Sequence, residues 1–111
     1  MTTPEGKIKT KVKAILESLG DKCWYFMPVQ RGLGCKRGVP DFIVCAGGLF
    51  VGVETKAGNN KRTTIQKYVG DRIELAGGAV IVVNEDTLDA FEQAMQVWVS
   101  DESDGESCSI S

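Results

Sequence analysis

The sequence predicts an α/β protein with a mixed four-stranded sheet and helices on both faces, in the order αβββαβα. Apolar residues recur at helical spacing near the start, in the middle and near the end of the chain. Three short segments rich in β-forming residues lie between the first two helical patterns, and Gly47-Gly48, a pair suited to a two-residue hairpin turn, separates two of them. A fourth apolar segment follows the second helix, and a strand reached through a crossover helix normally runs parallel to its neighbour.

The first helix is predicted to begin with Thr3 as its N-cap and Pro4 at the first helical position. Its apolar stripe, which is followed by Gly20 as a stop, consists of Ile8, Val12, Ile15, Leu16 and Leu19. The segment from Lys22 to Val29 contains three aromatic residues and is predicted as the first strand. It leads into a loop over residues 30–38 with three glycines and three basic residues, a composition suited to phosphate contacts or to an ordinary surface loop.

The predicted hairpin brings three charged residues onto one face of the sheet. If Gly47-Gly48 forms a two-residue turn, Asp41 stands directly opposite Glu54, with Cβ atoms roughly 4.5–5.5 Å apart. Lys56 lies two residues beyond Glu54 and therefore points the same way. Two opposed carboxylates are destabilising unless something positive lies between them, so the pattern indicates a divalent cation with a lysine beside it, as in phosphodiesterase-type sites. The hairpin has apolar residues on both faces and is expected to be covered on both sides.

The second half of the chain is predicted to supply the remaining elements. Thr63 or Thr64 is expected to cap a second helix, which ends at Gly77-Gly78 and is followed by a buried strand over Ala79–Val83. The last helix is predicted from about Asp86 to Val99. The inward stripe of the second helix is Ile65, Tyr68, Val69, Ile73 and Ala76, and the stripe of the last helix is Leu88, Phe91, Met95 and Trp98, which suits a core or a dimer surface.

Composition bounds the class of protein. With 111 residues, of which 42% are hydrophobic and 25% charged, the chain suits one globular domain over residues 1–100. The acidic, Ser-rich segment 101–111 is expected to be disordered. No apolar run is long enough to span a bilayer and no signal-peptide pattern opens the chain, so we expect a cytoplasmic protein with no membrane partner.

The chain has no histidine and none of its four cysteines is spaced C-x-x-C, which excludes the usual zinc sites and every Ser-His-Asp or Cys-His mechanism. The charge distribution is uneven. All 13 basic residues lie between Lys7 and Arg72, against seven acids through Gly78, so this part carries a net charge of +6. A polyanionic partner suits this part of the chain, although solvated surface lysines would give the same count.

The motifs are specific enough for a family resemblance. Pro40-Asp41 followed by Glu54-Thr55-Lys56 resembles the PD-(D/E)xK nuclease motif, on the element order that this restriction-endonuclease-like superfamily uses. The match extends through the short hairpin, the basic loop at Lys61-Arg62 and Gln66 in the second helix, and is similar to the VRR-NUC branch, the virus-type replication-repair nucleases. The resemblance covers about residues 4 to 83.

The resemblance implies roles for individual residues. Asp41 and Glu54 would hold Mg²⁺ or Mn²⁺, the Thr55 carbonyl would add a ligand, and Lys56 would position or activate the attacking water. Gln66 would touch the lysine, the water or the phosphate, and Glu5 would assist from the first helix. Each has an ordinary alternative: surface ion pairs for the acids and lysine, an acid favoured by the helix dipole for Glu5, and an exposed helical glutamine for Gln66.

The leading hypothesis from the sequence is a metal-dependent, structure-selective DNA endonuclease, a homodimeric Holliday-junction resolvase acting on four-way junctions. The alternatives are a nickase or flap or single-strand nuclease of phage-type replication or repair, and a non-catalytic nucleic-acid-binding module. The predicted DNA-binding residues are Arg31, Lys36, Arg37, Lys61 and Arg62.

Overall fold

The computed structural model describes residues 3–29 and 36–100, and its elements follow the predicted order. The loop residues 30–35, which include Arg31, and the tail 101–111 lie outside the described residues. The three α-helices are α1 (Pro4–Glu17), α2 (Thr64–Leu75) and α3 (Leu88–Ser100), and a short 3₁₀ helix spans Gly20–Lys22. The strands are β1 (Cys23–Phe26), β2 (Phe42–Ala46), β3 (Leu49–Thr55) and β4 (Ala79–Val83).

The four strands form one sheet in the order β1-β2-β3-β4. β1, β2 and β3 form an antiparallel meander, whereas β4 runs parallel to β3, as predicted for a strand reached through a crossover helix. Ala46 pairs with Leu49 across a two-residue turn, so the predicted hairpin register is confirmed. Gly47 and Gly48 have φ values of 57° and 84°, the positive angles that such a turn requires at both central positions.

The hydrophobic core lies between one face of the sheet and helices α1 and α3. Each buried apolar side chain in this layer contributes roughly 1.5–3 kcal/mol relative to an exposed one. Thr3 caps α1 by accepting a hydrogen bond from the backbone N–H of Gly6, as predicted. The core consists of Ile8, Val12, Leu16, Phe42, Val44, Ala46, Val51, Val53, Val83, Leu88, Phe91, Met95 and Val99.

Helix α2 lies on the opposite face and approaches β3 and β4 closely. A Cβ atom at Gly78 would lie 2.9 Å from Ile73 of this helix, so the glycine permits the contact. The predicted inward stripe is wrong at three positions, because only a narrow strip of α2 meets the sheet. Ile65 is 39% exposed, Tyr68 is 61% exposed and Ala76 is also exposed. The prediction that β4 is a buried strand is also wrong, since β4 lies at the sheet edge and Val82 is 40% exposed.

The part of this face formed by β1, β2 and the first residues of β3 is left uncovered by α2. Trp24 pairs with Cys45 across the strands, Cys45 pairs with Phe50, and Phe26 lies two residues beyond Trp24 on the same face. All four side chains are exposed, Trp24 to 66% and Phe26 to 51%. We refer to Trp24, Phe26, Cys45 and Phe50 as the open half-face. The expectation that the sheet is covered on both sides therefore holds only for part of it.

The remaining differences concern element ends. β1 ends at Phe26 rather than at Val29, so it is shorter than predicted. Helix α3 begins at Leu88 because the Asn84 side chain accepts hydrogen bonds from the backbone N–H groups of Asp86 and Thr87, which holds the preceding residues in a turn. Trp98 is 42% exposed rather than buried, and its indole N–H donates to the Ala46 carbonyl. Within the described residues, no helix is long and apolar enough to cross a membrane.

Candidate metal and nucleic-acid site

Asp41 and Glu54 lie side by side at one end of the sheet. Glu54 is the penultimate residue of β3, and Asp41 immediately precedes β2, one position beyond the last paired residues Phe42 and Val53. Asp41 is fixed by the end of β3, because its Oδ2 accepts hydrogen bonds from the backbone N–H of Thr55 at 2.8 Å and from the Thr55 hydroxyl at 2.9 Å. The hairpin register thus positions both predicted carboxylates together.

The Glu54 carboxylate is completely buried, and only one of its oxygens is satisfied. Oε1 accepts a hydrogen bond from Arg62 Nε at 3.0 Å, whereas Oε2 is buried and has no hydrogen-bond partner. Burial raises the pKa of Glu54, and the Arg62 guanidinium opposes that shift; Asp41 raises the pKa further and Lys56 lowers it. A buried acceptor without a partner costs about 1–3 kcal/mol, so a positive ligand on this oxygen would be stabilising.

Each carboxylate has its own neighbouring cation. Lys9 Nζ lies 3.6 Å from Asp41 Oδ1, and Arg62 forms an ion pair with Glu54. Lys56 is half-buried, and its backbone N–H donates to the Val83 carbonyl, which fixes the chain just after β3. The repulsion predicted for two opposed acids is therefore reduced by a separate basic side chain beside each of them.

The donor set suits Mg²⁺ or Mn²⁺. Hard divalent cations prefer oxygen ligands, and Mg²⁺ commonly uses one or two carboxylates while it keeps several waters. The unpartnered Oε2 of Glu54 and the adjacent Asp41 carboxylate provide such ligands. Thr55 is buried at the end of β3, and the role of its carbonyl as a ligand stays a prediction.

Glu5 lies apart from the two carboxylates. It is half-buried in the first turn of α1, where it lines an open cavity of about 410 Å³ together with Lys9, Ala57 and Asn60. In the parts of the chain that the structure describes, no three acidic or cysteine side chains converge closely enough to hold one metal ion. An assisting role for Glu5 would therefore act across this cavity.

The Gln66 side chain closes the N-terminus of α2. Its Oε1 accepts a hydrogen bond from the Thr63 backbone N–H at 2.8 Å, while the Gln66 backbone N–H donates to the Thr63 hydroxyl at 3.1 Å. This reciprocal pair is a capping box, for which the Thr63-x-x-Gln66 spacing is a sequence pattern. The predicted contact of Gln66 with the lysine, the water or the phosphate stays a prediction.

The predicted DNA-binding residues have different surroundings. Lys36, Arg37 and Lys61 are exposed, whereas Arg62 is only 25% exposed because its side chain turns toward Glu54. Lys9 was not singled out from the sequence. It follows Glu5 by four residues, about one helical turn, so the two side chains lie on the same face of α1, and this spacing could have identified it.

No family model and no curated protein sequence matches the chain. A solved structure described as a VRR_NUC domain is similar to it, with 25% sequence identity and a TM-score of 0.67. The match covers 83% of this chain and 97% of the solved chain. The resemblance predicted from Asp41, Glu54 and Lys56 is thereby confirmed, and the chain has the restriction-endonuclease-like fold of a VRR_NUC domain.

Proposed function

We propose that the protein is a Mg²⁺- or Mn²⁺-dependent, structure-selective DNA endonuclease that acts as a homodimer on four-way junctions, in the cytoplasm of a bacterial or phage-infected cell. The observation that carries the nuclease proposal is the completely buried Glu54 with an unpartnered carboxylate oxygen, next to Asp41. The VRR_NUC match supports a nuclease domain. The preference for four-way junctions is the most specific part of the proposal, because it requires the active sites of both subunits of a dimer to act together.

Asp41 and Glu54 would hold the metal ion, which when bound acts as a Lewis acid on the scissile phosphate. Lys56 follows Glu54 by two residues and would orient the attacking water and offset the negative charge that develops on the phosphate in the transition state. Thr55 holds Asp41 through two hydrogen bonds, so the carboxylate needs little reorganisation when the ion binds. Glu5 would assist from the cavity at the start of α1.

Lys36, Arg37 and Lys61 would contact the DNA backbone, with Arg31 from the same basic loop. The exposure of Lys36, Arg37 and Lys61 leaves these three free to approach phosphates, and such contacts release counterions and make affinity depend on salt concentration. Neither a base preference nor a strand polarity is implied by contacts of this kind.

Replacing Lys61 with Ala is expected to weaken DNA binding and to reduce the slope of log Kobs against log[salt] by about 1, because one phosphate contact is lost. The measurement is fluorescence anisotropy with a labelled junction in EDTA at several salt concentrations. Lys67→Ala, an exposed lysine on α2, is the matched control and should change the slope less. An unchanged slope in Lys61→Ala would contradict the assignment.

The open half-face supports the homodimer. Aromatic side chains bury about 150–250 Å² each, so the exposed fractions of Trp24, Phe26 and Phe50 amount to roughly 250–400 Å² of apolar surface. A standard interface buries about 800 Å² per partner, for which this surface can form the central part. The four residues carry no charge and lie on one face of the sheet, so a second copy can present the same surface about a two-fold axis.

Replacing Trp24 with Asp is expected to shift the dimer to monomer, since a charge would be buried at the centre of the interface. The measurement is sedimentation equilibrium over micromolar concentrations. Leu75→Asp is the matched control, because Leu75 is 80% exposed on α2 and lies outside the open half-face. A wild-type protein that stays monomeric, or a Trp24→Asp variant that stays dimeric, would contradict this interface.

The proposed function is tested by cleavage of end-labelled four-way junction, flap, duplex and single-stranded DNA in Mg²⁺, Mn²⁺ or EDTA. Paired, symmetric, metal-dependent cuts confined to the junction would support a dimeric resolvase. Cuts in flaps or single strands would instead identify the nickase or general repair nuclease. DNA binding without metal-dependent cleavage of any substrate would identify a non-catalytic binding module.

A further inference from the structure

Arg62 points into the candidate metal site rather than toward solvent. Its Nε donates to Glu54 Oε1 at 3.0 Å, and its Nη2 donates to the Gln66 carbonyl at 3.3 Å. The guanidinium therefore joins the end of β3 to the first turn of α2. It contacts only one oxygen of Glu54, although arginine commonly binds both oxygens of a carboxylate.

Gly70 provides the space for this guanidinium. A Cβ atom at this buried position would overlap Arg62 Nη2, whereas its nearest contact outside Arg62, with Val80, would be an ordinary 3.7 Å. Glycine in a helix interior is unfavourable relative to alanine, so its presence in the middle of α2 calls for a local reason. The space taken by Arg62 supplies that reason.

We propose that Arg62 is a positioning residue for the metal ligand Glu54, and that it holds Oε1 so that Oε2 remains free for the cation. Gly70, which has no side chain, leaves the space that the Arg62 guanidinium occupies. The inference rests on the proposed metal site and adds a role for a residue outside the nuclease motif. The two oxygens of Glu54 differ in their surroundings, because one is engaged by Arg62 and the other is buried without a partner. A metal ion on Oε2 would satisfy the carboxylate without displacing Arg62.

Two other roles for Arg62 predict different behaviour. If Arg62 competed with the metal for Glu54, its removal would tighten metal binding, as would the loss of a nearby positive charge by Coulomb's law alone. If Arg62 were a DNA phosphate contact, its removal would weaken DNA binding and leave metal binding unchanged. A positioning role predicts that removal of Arg62 weakens metal binding in the absence of DNA. Competition predicts tighter metal binding, and a phosphate contact predicts unchanged metal binding.

The experiment is a titration of the full chain with Mn²⁺ alone, in which free Mn²⁺ is measured by electron paramagnetic resonance. Arg62→Ala is expected to weaken Mn²⁺ binding about 10–100-fold, the range typical of a lost partner of a metal ligand. Arg62→Lys should restore only part of the affinity, because lysine keeps the charge but not the planar guanidinium. Arg72→Ala, which removes an exposed arginine from the same helix, is the charge-matched control and should bind like wild type.

Gly70→Ala tests whether the space at Gly70 is required for the position of Arg62, without changing any charge. Alone, it should weaken Mn²⁺ binding by displacing Arg62. In the Arg62→Ala background it should cause no further loss, and there it should raise the Tm in EDTA through better helix propensity. This second variant also keeps the test conclusive if Arg62→Ala is poorly folded.

Wild-type or tighter Mn²⁺ binding by folded Arg62→Ala and Gly70→Ala would overturn the positioning role. If Glu54→Gln also bound Mn²⁺ like wild type, the metal site itself would be wrong, which separates failure of the inference from failure of the proposed function. Reduced DNA affinity with unchanged Mn²⁺ binding in Arg62→Ala would assign Arg62 to the phosphate backbone.

Discussion

Replacing Lys56 with Ala is expected to reduce metal-dependent DNA cleavage by about 10²–10⁴-fold, the usual contribution of a positioned acid–base or charge-stabilising side chain. Lys56 lies two residues after Glu54, where its positive charge opposes part of the rise that burial causes in the pKa of that carboxylate. The effect should fall on the single-turnover rate constant rather than on junction affinity, because the lysine is half-buried and in the proposed role would stabilise charge that develops during the reaction.

Single-turnover cleavage of a labelled junction at saturating protein is the measurement. Lys13→Ala, an exposed lysine on the solvent side of α1, serves as the control and should cleave at the wild-type rate. Equal rate constants for Lys56→Ala and wild type, with both proteins folded, would remove Lys56 from the reaction.

Replacing Glu54 with Gln is expected to lower cleavage about 10²–10³-fold or more and, at the same time, to stabilise the metal-free protein by about 1–2 kcal/mol at neutral pH. The isosteric amide still accepts the Arg62 hydrogen bond, but it no longer requires a negative charge to be buried beside Asp41. Loss of function with a gain in stability is characteristic of a site held ready for a ligand.

The direction in which pH changes the stability difference between Glu54→Gln and wild type follows from the raised pKa of Glu54. In the folded protein the carboxylate takes up a proton at a higher pH than in the unfolded chain, so the penalty for burying its charge is present at neutral pH and disappears as pH falls below the ordinary pKa. The stability advantage of Glu54→Gln should therefore shrink on acidification. Thermal unfolding in EDTA between neutral and acidic pH measures it, with the exposed Glu74→Gln as control. A lower Tm for Glu54→Gln at neutral pH would contradict this account.

The hairpin and the pair of acids were predictable because turn length fixes register. A two-residue Gly-Gly turn leaves one pairing for β2 and β3, and that pairing brings Asp41 beside Glu54. The parallel direction of β4 followed in the same way from the intervening helix. These features depend on local chemistry or chain connectivity, which the order of residues contains directly.

Other features depend on tertiary packing that periodicity does not encode. The stripe of α2 was predicted too broadly, because the amount of sheet that a helix covers is set by how the layers meet, and Tyr68 remains outside. The Arg62 contact depends on the path of the loop between β3 and α2, for which no periodic pattern exists. The capping box at Thr63 and Gln66, in contrast, could have been found from its spacing alone.

The basic side chains beside the two acids affect the order in which DNA and the metal ion bind. With Lys9 beside Asp41 and Arg62 beside Glu54, and with Lys56 next to them, three cations accompany two carboxylates, so the immediate surroundings of this pair carry a net charge of +1. Glu5 lies apart, across the cavity, and is not included in that sum. Such a site attracts a phosphodiester before any Mg²⁺ has arrived. Chelation should therefore arrest the protein with its DNA already loaded, and rapid addition of Mg²⁺ would start one synchronous round of cleavage.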